Sequence, residues 1–116
     1  MLVMFKELIM NKPTELNILG IPHKITYHDK PSDVDSRGRG SFWGEIDHWK
    51  RAIRIYDNES TINDIWETLI HEVIHGIGDI MHLEFLENAK DNDIDLLALA
   101  LTDFLFRNNL IKLEKE

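Results

Sequence analysis

The sequence contains no cysteine among its 116 residues. Disulfide bonds and thiolate metal ligands are therefore excluded, and any metal ion must be bound by histidine and carboxylate side chains. Basic residues are scarce as well, because 13 Lys and Arg stand against 21 Asp and Glu, which leaves a formal net charge of −8. This charge disfavours phosphate backbones and anionic lipid surfaces, so we expect neither nucleic acid nor a membrane as a partner.

Long apolar runs are absent too. The longest, Leu96 to Leu101, is far shorter than the roughly 20 residues that a membrane-spanning helix requires. The segment from Met1 to Met10 is interrupted by Lys6 and Glu7 and lacks the small-residue cleavage site of a signal peptide. Without a break in composition, an internal repeat or a low-complexity tract, residues 1–116 are expected to form one domain of a cytoplasmic protein.

Four short segments have the composition or alternation of β-strands. Residues 29–40 between them are rich in Gly, Asp and Ser and predict a loop, and residues 48–51 predict a turn. We expect a small antiparallel sheet. The predicted strands are Leu16 to Leu19, His23 to His28, Ser41 to Asp47 and Ala52 to Tyr56.

Two long segments, residues 62–81 and 91–110, predict helices, with a partly helical connection over residues 82–90. The first follows Ser60 or Thr61 as N-cap, contains no proline and is apolar around most of its circumference, which is typical of a largely buried helix. The second has an apolar stripe. The predicted fold class is α+β, with a small sheet packed on two main helices. The stripe consists of Ile94, Leu97, Ala98, Leu101 and Leu105.

The first of these helices contains the pattern His-Glu-x-x-His at His71, Glu72 and His75. Residues four apart lie on one face of a helix, so His71 and His75 can offer two imidazole nitrogens to one ion. Glu72 then lies beside the ion, where its carboxylate can act as general base towards a water molecule that Zn²⁺ activates. The spacing therefore predicts a zinc site with a catalytic carboxylate.

This pattern lies within Glu67 to Ile77, and it is accompanied by Ile18-Leu19-Gly20, by Gly44 to Asp47 before Ile53-Arg54-Ile55, and by Leu97-Ala98 with Leu101. In these segments the chain resembles the small gluzincin-like metallopeptidases, namely the minigluzincins and the ImmA/IrrE-type proteins of phages and mobile elements. The resemblance implies a zincin-like fold, with the metal between two helices and the strand Ala52 to Tyr56 lining the cleft. Such a strand could bind an extended peptide by strand addition.

Catalytic zinc normally has three protein ligands, so one more donor is needed. In the gluzincin pattern an acidic residue of a following helix supplies it, and an Asp one helical turn later hydrogen-bonds a ligating histidine. By this resemblance Asp91 is the expected third ligand and Asp95 the histidine partner. His82 and Glu87 are alternative donors. Asp91 and Asp93 could instead simply cap their helix, whose dipole favours acidic residues at its start.

Two features depart from the family. The family has Glu where this chain has Asp91, and no His or Tyr follows His82 to stabilise an oxyanion. The oxyanion would then be met by the metal, by backbone amides, or by Tyr56 or His48. The expected function is a zinc-dependent endopeptidase acting on a protein or peptide, and the alternative is a catalytically inactive metal-binding or protein-interaction module of the same fold.

Overall fold

A computed structural model describes residues 12–34 and 43–111 of the chain. The segment from Met1 to Met10, on which the expectation about a signal peptide depends, lies outside the described residues, as do Ser41 and Phe42 of the third predicted strand. In the described ranges, no helix combines the length and the apolar character needed to cross a membrane.

Four strands form one sheet in the order β1-β2-β4-β3. The pairs β1/β2 and β3/β4 are antiparallel, whereas β2 and β4 are parallel. The prediction of a wholly antiparallel sheet is therefore wrong for this central pair. The chain crosses over after β2, so β3 lies at the edge of the sheet. β4 lies between β2 and β3 and runs parallel to β2. The strands are β1 Glu15–Ile18, β2 Ile21–His28, β3 Gly44–Asp47 and β4 Ala52–Tyr56.

Two long helices and two helices of one turn complete the described fold, and the α+β class is confirmed. The first long helix follows Thr61, whose Oγ1 accepts a hydrogen bond of 3.1 Å from the Asp64 backbone N–H and so caps the helix. It ends before His82, which has the left-handed φ of 55° that often terminates helices. The helices are α1 Pro31–Val34, α2 Ile62–Met81, α3 Glu84–Glu87 and α4 Asp91–Arg107.

The main core lies between the sheet and α2. Alternate residues of the strands face the helix, and Gly76 lets it approach closely, because a Cβ there would lie 3.0 Å from Ile18 Cδ1. Only Asp64 and Met81 of α2 are exposed, which agrees with the prediction of a largely buried helix. The buried members of this core are Ile18, Ile25, Ile46, Ile53, Ile55, Ile65 and Leu69.

A second, smaller core joins α4 to α2 through Ile74, Ile94 and Ala98. Along α4 the buried row is Ile94, Ala98 and Thr102. The predicted apolar stripe is broader than this row, and the prediction that it is buried is wrong in part, since Leu97 and Leu101 are 44% and 39% exposed. Their exposure follows from the architecture, because α4 packs mainly on α2.

Candidate metal centre

The candidate centre lies in a cavity of about 760 Å³ bounded by β3, α2 and α4. β3 forms the edge of the sheet on this side and β4 is an inner strand, so the expectation that Ala52 to Tyr56 lines the cleft is wrong. The Trp43 backbone carbonyl accepts a hydrogen bond from the Tyr56 backbone N–H. Because hydrogen bonding alternates along an antiparallel pair, the backbone groups of Gly44 and Ile46 point away from β4, towards the outer edge.

The structure brings His71, His75 and Asp91 together at this cavity. The Nε2 atoms of His71 and His75 are 3.0 Å apart. Asp91 Oδ1 lies 3.7 Å from His71 Nε2 and 3.4 Å from His75 Nε2. Three donor atoms from two helices thus converge on one point, and this group could hold a metal ion.

These separations suit a small ion. Bonds of about 2.0–2.1 Å at tetrahedral angles place ligand atoms about 3.3–3.4 Å apart, and the three distances of 3.0, 3.4 and 3.7 Å lie around this value. The pKa of His75 is lowered, first by burial and then by the neighbouring His71, although Asp91 opposes the shift. A lowered pKa keeps the imidazole neutral, which is the form that binds metals.

Asp95 lies one helical turn after Asp91 and reaches the opposite side of the His71 ring. Its Oδ1 is 2.7 Å from His71 Nδ1. That nitrogen is buried and has no hydrogen bond of acceptable alignment, and a small rotation of the Asp95 side chain, which is 67% exposed, would supply one. Such a bond would leave Nε2 of His71 unprotonated and directed at the shared point.

Glu72 lies next to the group and is 5% exposed. Burial is the main cause that raises its pKa to about 8, and the charges of Asp91, Glu45 and Asp95 add to the effect. The Ile46 backbone N–H, on the outer side of β3, donates to its carboxylate and opposes the shift. A nearby cation would favour the carboxylate form in the same way that any opposite charge does.

Gly44 makes room for this carboxylate. A Cβ at this position would lie 2.6 Å from Thr68 Cγ2 and 3.2 Å from Glu72 Oε2. The sequence analysis did not identify Gly44 as part of the site. A glycine inside a strand is itself a signal of close approach, and that signal could have found it.

Glu45 is a second buried carboxylate that the sequence analysis missed. It is 6% exposed and pairs with Arg54 directly across the β3/β4 ladder. Arg54 also donates through Nε to the Val34 carbonyl, at 3.0 Å. The predicted turn at residues 48–51 sets this register, so opposite charges facing each other across the hairpin could have been inferred.

The alternative donors are not part of the group. His82 ends α2 and Glu87 lies in α3, and both are exposed and outside the lining of the cavity. The N-cap of α4 is Lys90, so Asp91 and Asp93 lie in the first turn of the helix and do not cap it. Of these two, Asp91 alone joins the histidines.

Of the two upstream candidates for contacting an oxyanion, His48 lines the cavity and Tyr56 does not. The Tyr56 ring packs against Trp43 with a centroid separation of 5.3 Å. Tyr56 alternates with the buried Ile55 along β4, so it projects from the opposite face of the sheet.

Comparisons of the chain with protein-family models, with curated proteins and with solved structures found no match. The chemistry of the site must therefore be argued from its own residues.

Proposed function

We propose that this protein is a zinc-dependent endopeptidase of the gluzincin type, in which Glu72 is the general base. The observation that carries the proposal is the convergence of two imidazole nitrogens and one carboxylate oxygen at 3.0–3.7 Å, with Glu72 in the lining of the same cavity. Two histidines and one carboxylate are a ligand set that catalytic zinc sites use.

When bound, zinc would act as a Lewis acid that polarises the scissile carbonyl and lowers the pKa of water. His71, His75 and Asp91 would hold the ion, and Asp95 would orient His71. Glu72 would take a proton from the attacking water and return it to the leaving amine. Its burial and the Ile46 N–H keep the carboxylate in one position for both transfers.

The edge of the sheet suggests how a peptide would be bound. The outward backbone groups of Gly44 and the outward carbonyl of Ile46 lie along the cavity, where they can pair with an extended chain. Gly44 has no side chain to obstruct this approach. On the other wall of the cavity, Leu96 and Leu99 are 58% and 49% exposed and offer apolar contacts to side chains of the peptide.

A protein-interaction module without turnover is the second candidate. It is favoured by the exposed apolar surface of α4, where Leu97, Leu101 and Phe104 are 44%, 39% and 54% exposed outside the cavity. Contiguous exposed apolar surface of this kind is common at protein interfaces.

The two candidate functions predict different effects of the substitution Glu72→Gln on peptide cleavage. Protein prepared without chelator would be loaded with zinc and incubated with a peptide library, and cleavage would be followed by mass spectrometry. We expect the variant to retain zinc and to lose at least about 100-fold in rate, the usual contribution of a general base. Glu67→Gln is the matched control, because Glu67 lies on the same helix and lines the same cavity but accepts a hydrogen bond from Asn63, at 3.0 Å, and is not one of the converging donors.

Zinc-loaded wild type that cleaves no library peptide would contradict the peptidase proposal and favour the interaction module. Equal rates for wild type and Glu72→Gln would contradict the role of Glu72.

A further inference from the structure

His48 occupies a defined position at the end of β3. Asp47 Oδ1 accepts the backbone N–H groups of Trp49 and Lys50, each at 3.0 Å, and this fixes the turn that carries His48. Its ring lies against α2, where Nδ1 is 3.6 Å from Asp79 Oδ2. This Nδ1 is buried and has no hydrogen bond, so a small movement of the Asp79 side chain would complete an imidazole–carboxylate pair.

Asp79 lies one helical turn after His75 on α2, so the His48 ring lies beside the candidate metal group. The same cavity is lined by His48, His71, His75 and Asp91. A charge on His48 contributes to the lowered pKa of His75, which agrees with their proximity. His48 is nevertheless not one of the three converging donors.

Few side chains in the described lining of the cavity can donate a hydrogen bond to a bound peptide, and none of them is Lys, Arg or Tyr. The Thr68 hydroxyl donates to the Asp64 carbonyl, at 3.1 Å. The Trp43 ring packs at a tilt of 59° against the Tyr56 ring. Apart from the two candidate ligands His71 and His75, the side chains with a nitrogen donor in this lining are His48 and Trp43, and of these two His48 is held against α2.

We infer that His48, positioned by Asp79, donates a hydrogen bond from Nε2 to the carbonyl oxygen that gains negative charge as the peptide bond is attacked. This inference rests on the proposed peptidase function. Asp79 would pair with Nδ1–H and balance the charge of an imidazole that carries a proton on both nitrogens. Donors aimed at a developing oxyanion stabilise the transition state more than the bound substrate.

The test uses full-length, zinc-loaded protein and compares wild type with His48→Ala, His48→Gln and Asp79→Asn. Trp49→Ala is the matched control, because Trp49 belongs to the same turn, is 96% exposed and does not line the cavity. Four quantities are measured: zinc content, kcat and KM on a cleaved library peptide, and the dissociation constant of phosphoryl-leucyl-tryptophan. The phosphoryl oxygens of this compound mimic the oxyanion without being turned over.

We expect His48→Ala to keep its zinc and its KM while kcat falls by about 100-fold, the loss typical of one oxyanion donor. Binding of the phosphoryl dipeptide should weaken at least about tenfold. His48→Gln should recover part of both losses because its amide donates, Asp79→Asn should be intermediate, and Trp49→Ala should match wild type.

Unchanged kcat and unchanged phosphoryl-dipeptide affinity in zinc-loaded His48→Ala would overturn the inference. Loss of zinc from His48→Ala and His48→Gln would overturn it as well, by making His48 a ligand. Zinc-bearing wild type that neither cleaves peptides nor binds the phosphoryl dipeptide would instead show that the proposed function itself is wrong, and the role of His48 would fall with it.

Discussion

The two long helices contribute to the candidate metal centre in opposite ways. On α2, the side chains of His71 and His75 are only 14% and 28% exposed, and Glu72 is buried between the helix and β3. On α4, Asp91 and Asp95 are 81% and 67% exposed. The histidine half of the site thus lies against the main core, whereas the carboxylate half lies on an exposed face of α4. A bound ion would link the two halves and would stabilise the packing of α4 on α2.

The largest expected effect on stability contrasts a buried position of α2 with an exposed position of α4. Leu69→Ala removes a fully buried side chain between the sheet and α2, and we expect the free energy of unfolding to fall by about 2–5 kcal/mol because a cavity remains. The same substitution at Leu97, which is 44% exposed on α4, should cost less than about 1 kcal/mol. Urea unfolding measures both values, and equal losses would contradict the proposed difference between the helices.

A smaller effect is expected where β3 contacts α2. Gly44→Ala places a Cβ 2.6 Å from Thr68 Cγ2, and overpacking of this kind costs about 1–3 kcal/mol. Thr68→Ser keeps the hydroxyl and removes this methyl group, so the double variant should recover part of the loss in thermal unfolding. The absence of any recovery would mean that the contact with Glu72 Oε2, at 3.2 Å, dominates.

Asp95→Ala tests the exposed half of the site. Loss of a carboxylate that orients a ligating histidine typically weakens metal binding about 10–100-fold, and competition with a chromogenic chelator measures this. Asp103→Ala is the control, because Asp103 lies on the same helix and pairs with Arg107, away from the centre. Unchanged affinity in Asp95→Ala would show that the 2.7 Å contact with His71 does not orient the ring.

The smallest expected effect concerns the helix starts. Thr61→Ala removes the side-chain cap of α2 and should cost about 1 kcal/mol. Lys90→Ala at the start of α4 removes no such hydrogen bond, so it should leave stability nearly unchanged. Thermal unfolding of the two variants compares the caps, and a larger loss for Lys90→Ala would reverse the expected order.

Much of the local structure could be predicted from the sequence. The bounds of α2 and β4 agree with prediction, because N-cap chemistry, helical periodicity and strand alternation are local signals. The parallel pairing of β2 with β4 could not be predicted, because it depends on a crossover between distant segments. The predicted burial of Leu97 failed for a related reason, since an apolar residue does not reveal whether a second layer covers its helix.

The residues of the site also divide into those that local sequence predicts and those that depend on packing between elements. His71, Glu72 and His75 follow from spacing on one helix, whereas the position of Asp91 depends on how two helices pack. The resemblance to gluzincins predicted Asp91 and Asp95, and the structure brings both to the histidines. Gly44 and Glu45 could have been found from the strand and hairpin patterns, whereas the pair of His48 with Asp79 depends on the approach of β3 to α2, which no single segment of sequence contains.

The proposed binding of one metal ion by these two helices is tested by measuring metal content. Wild type, His75→Ala and Asp91→Ala would be purified without chelator or a metal-affinity tag, equilibrated with zinc and desalted. Their zinc content would then be measured by inductively coupled plasma mass spectrometry. His82→Ala and Asp93→Ala are matched controls, since they change the same residue types outside the group. We predict about one zinc per chain in wild type and both controls, and its loss in His75→Ala and Asp91→Ala. Wild type without zinc, or zinc retained in both of these variants, would mean that His75 and Asp91 do not bind a metal ion together.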